Sequence, residues 1–269
     1  MTMWTLDDRY ETMPWDKLDA VVFDVGNVLL SYSPEEELEA FFRETELHEK
    51  LMEKIIKTPY WNMMDRGTLT VQQAIGHMTG RDRSLEPMIR RFMENWLDFT
   101  RPIEEGVQAV KSCLAHGKRV FVLSNYQKES FATVESRFDF FGLFEGKVVS
   151  AREGLLKPNA DIYEFLTNTY HVEPSRTLFI DDTPANIEGA MYVGWQGFCL
   201  TGRENWLHLW ATERVTICRR FMRIGARPAM RRKTRFVRLR WRRIWAPMAW
   251  SWTCRFQRTA VWSSFTTTN

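Results

Sequence analysis

The chain has 269 residues, 44% hydrophobic and 26% charged, enough to bury a full core as one large domain or as a core with a small insert. No apolar run reaches signal-peptide or membrane-spanning length, so a soluble, cytoplasmic protein is expected, and Cys113, Cys199, Cys218 and Cys254 lack metal-site spacing and read as reduced core thiols. The net charge of +3 conceals a split: from Arg214 onwards there are 15 basic residues and no acid, which leaves 22 basic against all 34 acidic residues in the first 213.

Residues 21–30, VVFDVGNVLL, come first. Three apolar residues run into Asp24 and a Gly-Asn turn, the pattern of a buried parallel strand that delivers a carboxylate to its C-terminal end. Open α/β sheets bind their ligands there. Taken alone, Asp24 reads equally well as a turn or helix-cap residue. Ser33-Pro34 ahead of three glutamates reads as a helix start, with acids favoured in the first turn. Apolar residues between 38 and 56 recur every three or four positions, and the pattern resumes over 71–78 and 88–99. Loops are marked at Thr58-Pro59, Asp65-Arg66-Gly67 and Thr79-Gly80. Residues 33–99 are therefore expected to form a small helical bundle over the strand ends, a lid that excludes water and selects substrates.

From Pro102 the chain alternates: helix 103–115, strand 119–123, helix 129–138, strand 147–150, helix 159–170, strand 177–180, helix 185–193 and strand 197–200. Right-handed crossovers then predict an α/β fold with a doubly wound, five-stranded parallel sheet.

Three further polar sites fall at the same end of that sheet. Ser124-Asn125 closes one strand, so that a hydroxyl and turn amides can face an anion, although Ser-Asn after a strand is commonly only a turn. Lys157 precedes Pro158 near a helix start, and is a solvated charge unless carboxylates or a phosphate lie close. Asp181 and Asp182 end the strand at FI; with a third carboxylate beside them they repel unless a cation joins them, and a helix cap before Pro184 accounts for only one of the two.

In order, FDVGNV around Asp24, VLSN around Ser124, Lys157-Pro158 and the FIDD that ends at Asp182 resemble the four motifs of the haloacid dehalogenase (HAD) superfamily of hydrolases. The resemblance covers roughly residues 18–201. It implies a Rossmann-like core from 18–32 and 100–202 and identifies 33–99 as a small α-helical cap, in which residues 65–70, DRGTLT, are similar to a cap loop. The DxGNV form looks most like bacterial glucose-1-phosphatase-type sugar-phosphate phosphatases. The implied chemistry is phosphoryl transfer through an aspartyl-phosphate on Asp24, whose carboxylate is ionised at neutral pH and needs no base. The resemblance further implies Mg²⁺ held by Asp24, the Gly26 carbonyl oxygen and Asp182, with Asp181 beside or behind it. Ser124, the Asn125 amide and Lys157 would hold the phosphoryl oxygens. The expected partner is a small phosphorylated metabolite.

One position departs from the superfamily. Most of its phosphatases carry a second Asp two residues after the nucleophile, to protonate the leaving group and activate water, and here that position is Gly26. Loss of a positioned acid and base typically costs roughly 10² to 10⁴ in rate. Two other readings stay open: a weak or inactive HAD-fold binding protein, and a dehalogenase-type hydrolase, which lacks the same Asp but needs no metal. Tyr60, Trp61, Met63, Met64 and Arg66 could line a sugar-phosphate pocket, though such a cluster is more often the core of a bundle. The Arg- and Trp-rich residues 203–269, acid-free from Arg214 onwards, lack caps and a clear period, as a shifted reading frame over GC-rich codons would produce. They are expected to form no domain and to bind neither nucleic acid nor membrane. Truncation after about Thr201 is expected to leave catalysis intact.

Overall fold

Short apolar segments separated by amphipathic ones need neighbours on both faces, and the computed structural model of the protein arranges them that way. It describes residues 10–42, 45–81, 83–200, 206 and 214–218. Strand β1 (Tyr10–Pro14) precedes β2 (Ala20–Phe23), and five helices follow: α1 (Pro34–Phe41), α2 (Thr45–Ile55), α3 (Pro59–Asp65), α4 (Val71–Thr79) and α5 (Glu86–Asn95). The chain then alternates through α6 (Glu104–Ala115), β3 (Arg119–Ser124), α7 (Lys128–Arg137), β4 (Gly146–Val149), α8 (Ser150–Glu153), α9 (Ala160–Tyr170), β5 (Thr177–Asp181), α10 (Pro184–Tyr192), β6 (Gln196–Cys199) and β7 (Arg214–Cys218).

The five-stranded sheet runs β4-β3-β2-β5-β6, all parallel, as expected for a doubly wound fold. Strand β2 is central because all four of its residues are buried, so it needs cover on both faces. Val21 and Phe23 point to one side, against α6 and α7 through Val110, Cys113, Phe131 and Val134. Ala20 and Val22 point to the other, against α9 and α10 through Ile162, Tyr163, Leu166 and Ile187. Fully burying such a side chain stabilises by roughly 1.5–3 kcal/mol, so the two clusters drive the winding. The chain runs from β2 to β3 and β4 on one side and later to β5 and β6 on the other. The reversal of strand order leaves a crevice at the C-terminal end of β2.

Helices α1–α5 bury a third cluster of their own, including Leu38, Leu51, Ile55, Ile75, Ile89 and Phe92. Helix α4 is held by a reciprocal cap: Gln73 N donates to Thr70 Oγ1 at 3.2 Å and Thr70 N to Gln73 Oε1 at 2.9 Å. Thr58-Pro59 proves to be the start of α3, where proline's missing N–H is harmless. Of the residues expected to line a pocket in this segment, Met64 is core, Tyr60 stacks on His77 with ring centroids 5.1 Å apart, and Met63 and Arg66 are exposed.

Two strands exceed the five expected. Strands β1 and β7 pair antiparallel, from Tyr10 with Cys218 to Pro14 with Arg214. Val215 and Ile217 alternate inward and, with Trp206, join the cluster on the α6–α7 face of the sheet. The start of the expected tail therefore belongs to the core, a correction to the composition boundary; the rest of it, with Cys254, lies outside the described residues. No helix among the described residues is long and apolar enough to cross a membrane.

Candidate active site

Neighbouring strands bring the polar residues together. Phe23 is level with Ile180, so Asp24 and Asp181 leave the sheet side by side, and the Asp24 N–H donates to the Ile180 carbonyl at 2.9 Å. Ser124 ends β3 on the other side of β2. After Asp24 the chain turns through Asn27, which takes a left-handed φ of +54° that asparagine tolerates.

Lys157 is buried between carboxylates: its Nζ lies 2.7 Å from Asp24 Oδ1 and donates to Asp181 Oδ2 at 2.7 Å. The approach to Asp24 is an ion pair without an aligned hydrogen bond, and among the described residues Oδ1 has no other partner. Burial alone would lower the Lys157 pKa, but Asp181 and Asp24 outweigh it and hold the ammonium above its ordinary range. Asn125 fixes the lysine from behind, donating through Nδ2 to the Lys157 carbonyl at 3.1 Å and accepting the Lys157 N–H at 2.9 Å. Asp181 is fully buried and saturated, accepting also from Thr183 N at 2.7 Å and from Asn186 Nδ2 at 3.0 Å. Asp182 faces the opening, where it accepts from Asn27 Nδ2 at 3.1 Å and Thr183 Oγ1 at 3.2 Å.

Asp24 and Asp182 are both pushed up from the ordinary carboxylate range, by burial first. Lys157 opposes the shift at Asp24, while Asp181 reinforces it at both. Carboxylate oxygens of Asp24, Asp181 and Asp182 all lie within 4.8 Å of one another. Three carboxylates against one ammonium leave two negative charges. This all-oxygen donor set and that deficit fit a hard divalent cation, which would relieve the repulsion.

A cavity of about 340 Å³ opens over these groups, the lower end of the range for small-ligand sites. Asp24, Gly26, Ser124, Asn125, Lys157 and Asp182 all line it, whereas Asp181 stands behind. Its far wall is aromatic. Tyr32, Trp61, Trp96 and Tyr126 form a connected group with ring centroids 5.8–6.5 Å apart. Trp61 is the one member of the expected helical-segment cluster that reaches it. Asn27, Thr183, Asn186 and Asp65 are functional candidates that the motifs do not include: Asn27 reaches Asp182 across the fold, Thr183 and Asn186 bond Asp181 within the turn and helix start that follow it, and Asp65 joins through the cavity wall.

A family model described as haloacid dehalogenase-like hydrolase matches residues 18–194. A sesquiterpene phosphatase of Aspergillus oryzae is 25% identical over 183 residues, covering 68% of this chain and 89% of its own length. A D-ribitol-5-phosphate phosphatase of Bacteroides thetaiotaomicron is 24% identical over 204 residues, covering 69% and 93%. Among solved structures, a HAD family enzyme of Bacteroides thetaiotaomicron in complex with magnesium and inorganic phosphate aligns with a TM-score of 0.59 at 19% identity, over 72% of this chain and 100% of that one. The L-2-haloacid dehalogenase of Xanthobacter autotrophicus, with chloropropionic acid covalently bound, gives a TM-score of 0.52 at 15% identity over 72% and 82%. At these identities the structural likeness is one of fold.

Proposed function

This chain belongs to the haloacid dehalogenase-like hydrolases, and from that premise we propose that it is a Mg²⁺-dependent phosphatase that hydrolyses a small, sugar phosphate-like ester through an aspartyl-phosphate on Asp24. The observation that carries the reading is the Asp24 carboxylate, set at the floor of the cavity with Lys157 at 2.7 Å and Asp182 beside it. Two of the relatives are phosphatases by description.

Asp24 attacks phosphorus in line. Lys157 opposes the burial that raises the pKa of the attacking carboxyl and then offsets charge on the phosphoryl oxygens, and the Ser124 hydroxyl and Asn125 backbone amide donate to the same oxygens. Asp181 acts through Lys157, which it holds between the two carboxylates. A bound Mg²⁺, held by Asp24, Asp182 and the Gly26 carbonyl oxygen, would supply Lewis-acid neutralisation of the phosphoryl charge. Helices α1–α5 act as the cap, and the aromatic wall they share with Tyr126 gives the leaving group a face to stack on.

The test is phosphate release from a panel of phosphomonoesters, sugar 1- and 6-phosphates included, with Mg²⁺ or with chelator. Metal-dependent turnover that falls at least about 10³-fold in Asp24→Asn is expected. Halide release from 2-haloacids without metal would instead establish the dehalogenase reading.

A further inference from the structure

The cavity has room for a side chain where glycine stands. At Gly26 an added Cβ would meet a single neighbour, Tyr32 Cβ at 3.9 Å, and the residue's φ is not left-handed, so neither sterics nor backbone require glycine. The acid that this position does not supply has to come from elsewhere in the cavity. Three carboxylates line it. Asp24 is paired with Lys157, and Asp182 is bonded to Asn27 and Thr183. The third is Asp65, the last residue of α3, whose carboxyl takes no hydrogen bond or ion pair among the described residues and feels the charge of Lys157.

The Asp65 backbone, by contrast, is clamped to the sheet-bearing core. Ser150, fully buried at the start of α8, donates its hydroxyl to the Asp65 carbonyl oxygen and accepts the Tyr126 N–H at 2.9 Å. Two residues on, Gly67 takes a φ of +74° and lies so close to α8 that a Cβ there would sit 2.4 Å from the Ala151 carbonyl oxygen. A fixed backbone with an uncommitted carboxyl in the cavity that holds the nucleophile is the arrangement a general acid needs.

We propose that Asp65 is the catalytic acid and base of this enzyme, acting from the helical segment in place of a residue at position 26; the inference rests on the phosphatase reading above. In the first step the Asp24 oxygen bonds to phosphorus, the bond from phosphorus to the leaving oxygen breaks, and the Asp65 O–H gives its proton to that oxygen, so a neutral alcohol departs. In the second, the Asp65 carboxylate takes a proton from water as the water oxygen attacks phosphorus. The Asp24–phosphorus bond breaks, Asp24 recovers its electron pair, inorganic phosphate leaves and Asp65 is protonated again.

Burial pushes the Asp65 carboxyl up to about 7, against the pull of the Lys157 ammonium, so both protonation states are populated near neutrality. The other titratable groups that line this cavity are Asp24 and Asp182, whose own pKa values are raised, and Tyr126, whose hydroxyl stays neutral because burial, Glu37, Asp65 and Asp24 all raise its pKa.

The test compares the full-length, Mg²⁺-loaded wild type with Asp65→Asn on an alkyl phosphate and on p-nitrophenyl phosphate, whose leaving group needs no proton. Expected for Asp65→Asn is a steady-state loss of roughly 10²- to 10⁴-fold on both esters. The aryl ester alone should give a rapid burst of nitrophenolate, approaching one equivalent per enzyme, because the acid step is bypassed and the base step is not. Adding Gly26→Asp to Asp65→Asn should recover at least about tenfold, through the space next to Tyr32. Turnover within about threefold of wild type, or a burst missing from folded variant, overturns the assignment of Asp65 and leaves the phosphatase reading standing. Wild type inactive on both esters overturns both.

Discussion

A buried charge is tolerated where it is paired and costs stability where it is not, and Lys157 and Glu37 are the two cases here. Lys157 has carboxylates at 2.7 Å on two sides, and these reverse the effect of burial. Glu37 in α1 is equally buried, but its Oε2 has no partner among the described residues and its Oε1 accepts only a long bond, 3.4 Å, from Ser33 N. Burial pushes its carboxyl from an ordinary 4.5 up to about 7. A carboxyl whose folded pKa is raised holds its proton more tightly in the folded state. Stability therefore falls as pH rises from about 4.5 to about 7, by up to ~3 kcal/mol. Glu37→Gln is expected to gain on wild type over that interval, with the difference flat above it; urea denaturation of both proteins at pH 4.5 and pH 8 would measure it. A difference independent of pH would refute the assignment. Residues of the two kinds also differ in how legible they were. Asp24, Ser124, Asp181 and Asp182 each follow an apolar run, so the strand that carries them also reveals them. Asp65 and Glu37 sit in amphipathic helices, where an acid at a polar spacing looks like solvated surface and only the folded packing reveals it.

Periodicity is a property of elements, and the long elements were legible for that reason: the five expected strands each begin or end within a residue of the observed ones, and helices α6, α7, α9 and α10 likewise. What escaped was short. Helix α3 has seven residues between two loop marks, and α8 has four, starting at Ser150, which reads as the end of a strand. These two short elements meet at the loop that carries Asp65. That contact makes Gly67 a close junction between the helical segment and the sheet-bearing core. Gly67→Ala puts a Cβ on a left-handed residue and against the Ala151 backbone, so the loop must shift. An expected stability loss of about 1–2 kcal/mol accompanies a fall in kcat/KM of roughly tenfold to 100-fold, since a displacement near 1 Å at a catalytic group is that costly. Gly76→Ala supplies the contrast. It is an exposed residue within α4 with nothing near its added Cβ, so it should stabilise by about 0.5–1 kcal/mol and leave turnover unchanged. Equal losses of activity in the two variants would count against the loop contact.

At the scale of the molecule, the shift in composition and the edge of the fold fall at different places. The sequence becomes acid-free and arginine-rich at Arg214, yet Arg214–Cys218 is a strand, paired along its length with Tyr10–Pro14. The reason it was hidden is physical. In RVTIC the apolar alternation is Val215 and Ile217, too short a period to stand out from the basic residues after it, and YETMP has no apolar alternation at all. Neither strand is stable alone; each needs the other and the shared contact with the core. Trp206 closes the same face, and a Cβ added at Gly106 of α6 would come within 3.4 Å of its ring. A chain ended after Thr201 would strip Trp206, Val215 and Ile217 from the core, roughly 1.5–3 kcal/mol for each side chain, a sum comparable with the whole stability of an ordinary domain. It would also leave β1 as an unpaired edge. A chain ended after Cys218 keeps all of these contacts. The longer truncation product is expected to unfold cooperatively near the full-length midpoint and to retain turnover, and the shorter one to precipitate or to melt at least about 10 °C lower. Equal melting temperatures for the two would mean that the β1–β7 ribbon contributes nothing to the core it lies on.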